Sequence, residues 1–251
     1  MAEVKVPRFM ISAPGSGSGK TTIVCGLLKA LMEKGLSVAA FKSGPDYIDP
    51  MFHSRVIGAK SRNLDLFMLG QATTRYLVAK NARHADVAVF EGAMGFYDGM
   101  GKTTEASAYE LACTCDVPVV LIVNSKGAAL SIAATIKGFK EFRSDSYIVG
   151  AILNNVNPMS YLFYKDVIER ETGVKLLGYF PVMQDCNFES RHLGLVTAEE
   201  IGDLQQIKDS GELVVLTLYS STSYFIYRGQ DMGFQYELSE QFAKSLGVKL
   251  T

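Results

Sequence analysis

The sequence predicts an α/β fold built on a mostly parallel sheet with helices on both faces. Three observations predict it. From residue 8 to about 182, short apolar strands alternate with amphipathic helical stretches. A Gly/Ser-rich turn, Ala13-Pro-Gly-Ser-Gly-Ser-Gly-Lys-Thr-Thr22, joins the first strand to the first helix. The residues with chemistry to offer then fall, one after another, just beyond the predicted strands. Strands that are apolar along their whole length are those buried on both faces, which is how parallel sheets are built.

Arg8–Ser12 reads as the first strand, and Thr21–Lys34 as a helix closed by Gly35. Ser37–Phe41 is a second apolar strand, and it leads into Lys42-Ser-Gly-Pro-Asp-Tyr-Ile-Asp-Pro50. Residues 71–83 read as helical, Ala85–Phe90 as a buried strand ending in Glu91-Gly92, and a stretch near 105–115 as a helix. Val117–Asn124 is a strand, 128–142 a helix, and Tyr147–Leu153 a strand ending in Asn154-Asn155. A helix near 160–172 leads to Lys175–Phe180, the last strand of the run. In such sheets ligands sit at the carboxyl ends of the strands, so the phosphate loop, Asp46, Asp49, Glu91 and Asn154 should share one edge.

The turn after the first strand is a phosphate-binding loop, which makes the fold class a P-loop NTPase. Gly15, Gly17 and Gly19 let the backbone curl so that N–H groups face phosphate oxygens, and the helix opening at Lys20-Thr21-Thr22 adds partial positive charge. Lys20 would reach the β/γ-phosphates and the Thr21 hydroxyl would hold Mg²⁺. The strict spacing G-x-x-x-x-G-K-[ST] is not met, because Pro14 stands five before Gly19; the loop is one residue longer, counted from Ala13.

Phosphoryl transfer also needs carboxylates to hold the metal. Gly44-Pro45 sets a turn that would aim Asp46 at the Mg²⁺ on Thr21, with Asp49 left for a substrate or a second metal ion. An ordinary acidic turn is the alternative, and the position after the strand that follows the phosphate loop argues against it. Glu91 ends its strand where a second metal-binding acid is expected, rather than serving only to cap a helix. Lys42 either supplies positive charge to a developing anion or is a solvated loop lysine. His53, His84 and His192 show no metal-ligand spacing, and no nucleophile elbow is present.

The 251 residues are 48% hydrophobic, ample for one large core. A net charge of −1 gives no electrostatic case for nucleic acid or an anionic membrane as partner. The N-terminus reads as neither a signal peptide nor an anchor, and no run approaches the roughly 18–20 apolar residues of a membrane span. Cys25, Cys113, Cys115 and Cys186 fit no zinc pattern or disulfide scaffold, so reduced thiols in the cytoplasm are expected.

Five blocks in order, Ala13–Thr22, Phe41–His53, Glu91–Gly99, Gly150–Val156 and Ser190–Val196, resemble the N-terminal domain of cobyrinic acid a,c-diamide synthase. That amidoligase of cobalamin synthesis is related to dethiobiotin synthetase, and the resemblance covers roughly residues 7–205. It implies that ATP with Mg²⁺ phosphorylates acetate carboxylates of a corrin-type tetrapyrrole and that ammonia then displaces phosphate. By matching positions, Lys20 and Thr21 bind phosphate and Mg²⁺, Asp46 and Glu91 are metal ligands, Tyr47 and Asp49 handle substrate, and Asn154 reads adenine; Lys20, Lys42 and Asp49 form the catalytic set. A nickel-sirohydrochlorin amidase or a dethiobiotin synthetase-like ligase are the sister readings, the latter disfavoured by Gly44–Pro50. A nucleotide-binding switch, or an inactive fused fragment, is the reading from another class.

The family normally continues into a class I glutamine amidotransferase domain. With the chain ending at Thr251, ammonia is expected from free ammonium or a separate glutaminase, and a homodimer is a further expectation. Residues 206–251 do not resemble the synthase. Ile207–Thr217 and Tyr227–Leu238 resemble the start of a periplasmic solute-binding-type domain, as at the front of membrane-bound lytic transglycosylases. That segment is therefore expected to be a foreign partial domain, packing poorly or pairing with the edge of the main sheet.

Overall fold

The apolar runs form a seven-stranded sheet with every neighbouring pair parallel: β1 (Arg8–Ser12), β2 (Val38–Ser43), β3 (Lys60–Leu64), β4 (Val87–Glu91), β5 (Val119–Asn124), β6 (Ile148–Asn154) and β7 (Lys175–Phe180), in spatial order β3-β2-β4-β1-β5-β6-β7. The structure is a computed structural model that describes residues 5–182 and, beyond them, short pieces between residues 190 and 250. The helices are α1 (Lys20–Glu33), α2 (Ile48–Met51), α3 (Leu66–Ala82), α4 (Ala108–Cys115), α5 (Ser131–Glu141) and α6 (Pro158–Thr172). A π-helix, Phe52–Ile57, continues directly from α2.

Because side chains alternate across a strand, each apolar strand feeds two cores. Met10, Phe41, Phe90, Val119 and Leu121 join one, with Leu111 of α4 and Ile132 and Ile136 of α5. Their chain neighbours Ile11, Ala40, Val89, Val120 and Ile122 join the other, with Ile23, Val24 and Leu28 of α1. The parity carries on to the strand ends. Lys42 and Glu91 follow Phe41 and Phe90, so both emerge on the face covered by α1, and they are register partners. Since β1 has β4 on one side and β5 on the other, the connections diverge at its carboxyl end, where such sheets bind ligands.

Helix starts follow their caps. Asp65 accepts from the Phe67 and Met68 amides, so α3 begins before the expected residue 71, and a non-helical Gly70 kinks it. Ser107 caps α4, which starts later than expected. Asn157 caps α6 with Pro158 in its first turn, and Gly173 ends it with φ 61°. β3, α2 and the π-helix are additions to the expected order. β3 is an edge strand with the polar sequence Lys-Ser-Arg-Asn-Leu, buried at Ser61 and Leu64, half-buried at Asn63 and exposed at Lys60 and Arg62, so it carries no apolar run.

The chain divides into two compact units, residues 1–195 and 196–251. In the second, Glu212–Leu213 pairs in parallel with Lys249–Leu250, and Phe225–Tyr227 pairs antiparallel with Gln230–Met232; the expected turn at Arg228-Gly229 lies outside the described residues. The described strands of this unit pair with one another. Most of the Phe234–Leu246 stretch and the side chains of Ser190–Val196 lie outside the described residues. No helix among the described residues is long and apolar enough to cross a membrane.

Phe90 is fully buried beside Phe41, with ring centroids 4.9 Å apart. Phe90→Ala should cost about 3–5 kcal/mol in denaturant unfolding monitored by far-UV circular dichroism, the range for a large cavity in a packed core.

Candidate active site

The phosphate loop owes its shape to its glycines. Gly17 has φ 73° and Gly19 φ 92°, the left-handed region that side chains disfavour. Gly19 occupies the N-cap of α1, so no side chain caps the helix, and its first turn carries no acid. The first-turn amides are therefore left to an anion, with Thr21 and Thr22 in that turn. Inside the curl the Ser18 hydroxyl donates to the Gly15 carbonyl at 2.9 Å. Lys20 is buried, and its ammonium donates to the carbonyls of Gly15 at 3.1 Å and Met94 at 2.6 Å. Burial, and then the neighbouring Lys42, pull its pKa down to about 8.

The expected reader of adenine, Asn154, is found on this loop. Its side-chain amide donates to the Ser18 carbonyl at 3.0 Å and packs against Gly19, where any Cβ would collide with it. Its Oδ1 accepts from the Asn155 amide.

Below the loop, the ends of β2 and β4 together with α1 and α2 assemble a charged cluster. Glu91 is wholly inaccessible, and Lys42 and Asp49 are each 4% exposed. Lys42 is thus no solvated loop lysine. Its ammonium lies 3.0 Å from Glu91 Oε1, donates to Asp49 Oδ2, and sits 3.7 Å from Asp46 Oδ2. The Thr21 hydroxyl donates to Glu91 Oε1 at 2.7 Å and lies 3.4 Å from Asp49 Oδ2. Burial opposes the charge of each group, but the carboxylates outweigh it at Lys42, whose pKa is raised. At Glu91, Lys42 leads the groups that outweigh burial and hold the carboxyl below its usual range. At Asp49, burial and then the charge of Glu91 win, so its carboxyl is pushed above that range.

Asp46 stands further out than the turn argument places it. Its Oδ1 accepts from the Ile48 amide at 2.9 Å and the Asp49 amide at 3.4 Å, so it organises the start of α2. Among the acids it is Glu91 and Asp49 that face Thr21. Tyr47 lies at the rim, 72% exposed.

Sequence reasoning passed over three supporting residues. Asn63 of β3 donates from its side chain to the carbonyls of Gly44, at 3.0 Å, and Asp46, which fixes the acidic turn. His53, on the π-helix and fully buried, places Nε2 3.1 Å from Glu91 Oε2 and Nδ1 3.2 Å from the Ser61 hydroxyl. No spacing rule links these residues; only the pairing of β3 with β2 and of β2 with β4 does.

The donor set, a threonine hydroxyl and carboxylate oxygens, suits a hard, oxygen-liganded cation such as Mg²⁺. Two buried carboxylates against the single buried ammonium between them also leave negative charge for such a cation to offset. Among the described residues no group of three or more His, Cys, Asp or Glu forms a metal cage on its own.

A parallel sheet, a glycine-built loop capping its first helix, and acids at the adjoining strand ends define a P-loop nucleotide-binding protein. Residues 9–195 match the CobQ/CobB/MinD/ParA nucleotide binding domain family, and the chain belongs to that family. It is 40% identical over 228 residues to a cobyrinate a,c-diamide synthase of Clostridium acetobutylicum, covering 86% of this chain and 52% of the relative. Against that of Thermoplasma volcanium it is 43% identical over 199 residues, covering 79% and 44%. The chain therefore spans about half the length of the curated relatives it matches. Among solved structures, chloroplast FtsY from Physcomitrella patens shares the fold with TM-score 0.52 at 14% identity, over 80% of this chain and 66% of that one. FtsY from Thermotoga maritima gives 0.52 at 18% identity, over 74% and 64%.

Lys42→Met would leave Asp49 and Glu91 buried without their cation. We expect a loss of about 3–5 kcal/mol of stability in urea unfolding at pH 7. Restoring neutrality with Asp49→Asn in the same chain should recover part of it.

Proposed function

We propose that this chain activates carboxylates of a tetrapyrrole for amidation, using ATP and Mg²⁺, as part of a,c-diamide synthesis on a cobyrinic acid-like substrate. The observation that supports this most is the buried Lys42–Asp49–Glu91 cluster, joined through Thr21 to the phosphate loop, in a chain about 40% identical to cobyrinate a,c-diamide synthases. A carboxylate is a poor electrophile until it carries a leaving group. A substrate carboxylate oxygen attacks the γ-phosphorus, the bond to the β,γ-bridging oxygen breaks, and ADP departs. Ammonia then attacks the acyl carbon, the C–O bond to phosphate breaks, and a proton is lost to leave the amide.

In this reading Lys20 exchanges its carbonyl partners for β/γ-phosphate oxygens, and the α1 amides with Gly15, Gly17 and Gly19 cradle the phosphates. Thr21 and Glu91, with Asp46 or Asp49 beside them, would hold Mg²⁺, which would neutralise charge on the phosphates. Lys42 is fixed between carboxylates, and so holds positive charge where negative charge develops. Asp49, whose carboxyl is raised in pKa, handles the substrate acid together with Tyr47, whose exposed ring offers a flat apolar face to a macrocycle. Asn154 holds the loop, and a role in contacting adenine is compatible with that position. We assign the chemistry to residues 1–205 and none of it to 206–251. Cys25, Cys113 and Cys115 are free thiols, in keeping with a cytoplasmic setting.

Incubation with cobyrinic acid, Mg·ATP and ammonium chloride should release ADP and yield mono- and diamides detectable by mass spectrometry. Lys20→Ala should lower the rate by about 10²-fold or more, the scale for losing a donor to transition-state charge. ADP release that is no faster with all three co-substrates than with ATP alone would rule the reading out.

A further inference from the structure

The two carboxylate oxygens of Glu91 meet different partners. Oε1 faces Thr21 and Lys42, at 2.7 Å and 3.0 Å, and so faces the phosphate loop. Oε2 is turned to the opposite side, where it meets His53 Nε2 at 3.1 Å. Both of these atoms are sealed from solvent, and neither has another partner among the described residues. Nδ1 of the same ring lies 3.2 Å from the Ser61 hydroxyl on β3. The His53 backbone is also fixed, because its carbonyl accepts from the Ala59 amide at 2.8 Å across the end of the π-helix. Single turns of π-helix inside other helices recur at functional sites, where they aim a side chain that regular helix would misdirect.

We propose that His53 is a positioning residue for Glu91. With the Ser61 hydroxyl donating to Nδ1, the imidazole presents Nε2–H to Glu91 Oε2. The carboxylate can then rotate no further about its last bond. Oε1 is left as the single oxygen directed at Thr21 and at the cation site beside it. Ser61 and His53 thus act as an outer layer through β3, and neither touches phosphate or substrate. Removing such outer partners typically costs 10–100-fold in metal affinity. The proposal rests on the Mg·ATP reading of this site.

The test is calorimetric titration of the full chain with ATP, once with Mg²⁺ and once with EDTA. Thermal melting of each variant serves as the check on folding. His53→Leu should weaken ATP binding about 10-fold in Mg²⁺ and leave the EDTA value within about 2-fold. His53→Gln, whose amide can reach Oε2, should restore most of the difference. Ser61→Ala removes one hydroxyl from the same chain of contacts, is the milder change should His53→Leu fail to fold, and should show the same Mg²⁺-specific loss at smaller size. If the wild type gains nothing from Mg²⁺, the metal reading falls and the proposal with it. If the wild type gains and both His53→Leu and Ser61→Ala keep that gain, His53 does not position Glu91. Equal losses with and without Mg²⁺ would mark it as merely structural, and would also overturn the proposal.

Discussion

The site depends on one buried ammonium. Lys42 sits at the end of β2 with Glu91 opposite it on β4, and the parity of two apolar strands puts both side chains on the α1 face. A carboxylate wholly removed from water is costly unless a partner of opposite charge is within reach. Lys42 is that partner for Glu91 and for Asp49 at once. Through Glu91 it reaches Thr21 and so the first turn of α1, and through Asp49 and Asp46 it reaches the turn between β2 and the π-helix. Three separate stretches of chain are brought into register by the needs of one charge. This constraint also explains why two adjacent acids behave oppositely. One cation cannot fully satisfy both, so Glu91 keeps its charge readily while Asp49 gives it up more easily.

How much of this was legible in the sequence follows from what each residue depends on. The inner strands β1, β2, β4, β5 and β6 were legible because a strand covered on both faces carries a near-continuous apolar run. The edge strand β7 was legible because Leu176-Leu177-Gly178-Tyr179-Phe180 is apolar as well. β3 was not, because an edge strand can be mostly polar, and in Lys-Ser-Arg-Asn-Leu only a serine and one leucine are buried. The phosphate loop was legible because its glycines answer to local backbone geometry. Glu91 was legible for a similar reason, standing at the last position of a clear strand.

The supporting residues escaped for the converse reason. His53 acquires its position only when a π-helix delivers it under β3 and β4, and nothing in the spacing Phe52-His53-Ser54 announces that. The turn chemistry of Asp46 was read correctly as a turn, but its carboxylate is spent on two backbone amides ahead of α2, which leaves the inner place to Asp49. The lysine at position 42 was ambiguous on sequence alone, since a residue at a strand end can face water or core. Packing against two acids decides it.

One contact bears on how the molecule is made. The phosphate loop is completed by the Ser18 carbonyl meeting the side chain of Asn154, which lies 136 residues further along the chain. Contacts so distant in sequence form only after the intervening chain has been ordered, because the entropy of closing the loop comes first. In a nascent chain emerging from its ribosome, β1 has no strand to pair with until β4 is made, and the loop lacks its fastening until β6 has been synthesised and docked. Competence to hold a nucleotide firmly therefore arrives late, as a by-product of completing the sheet.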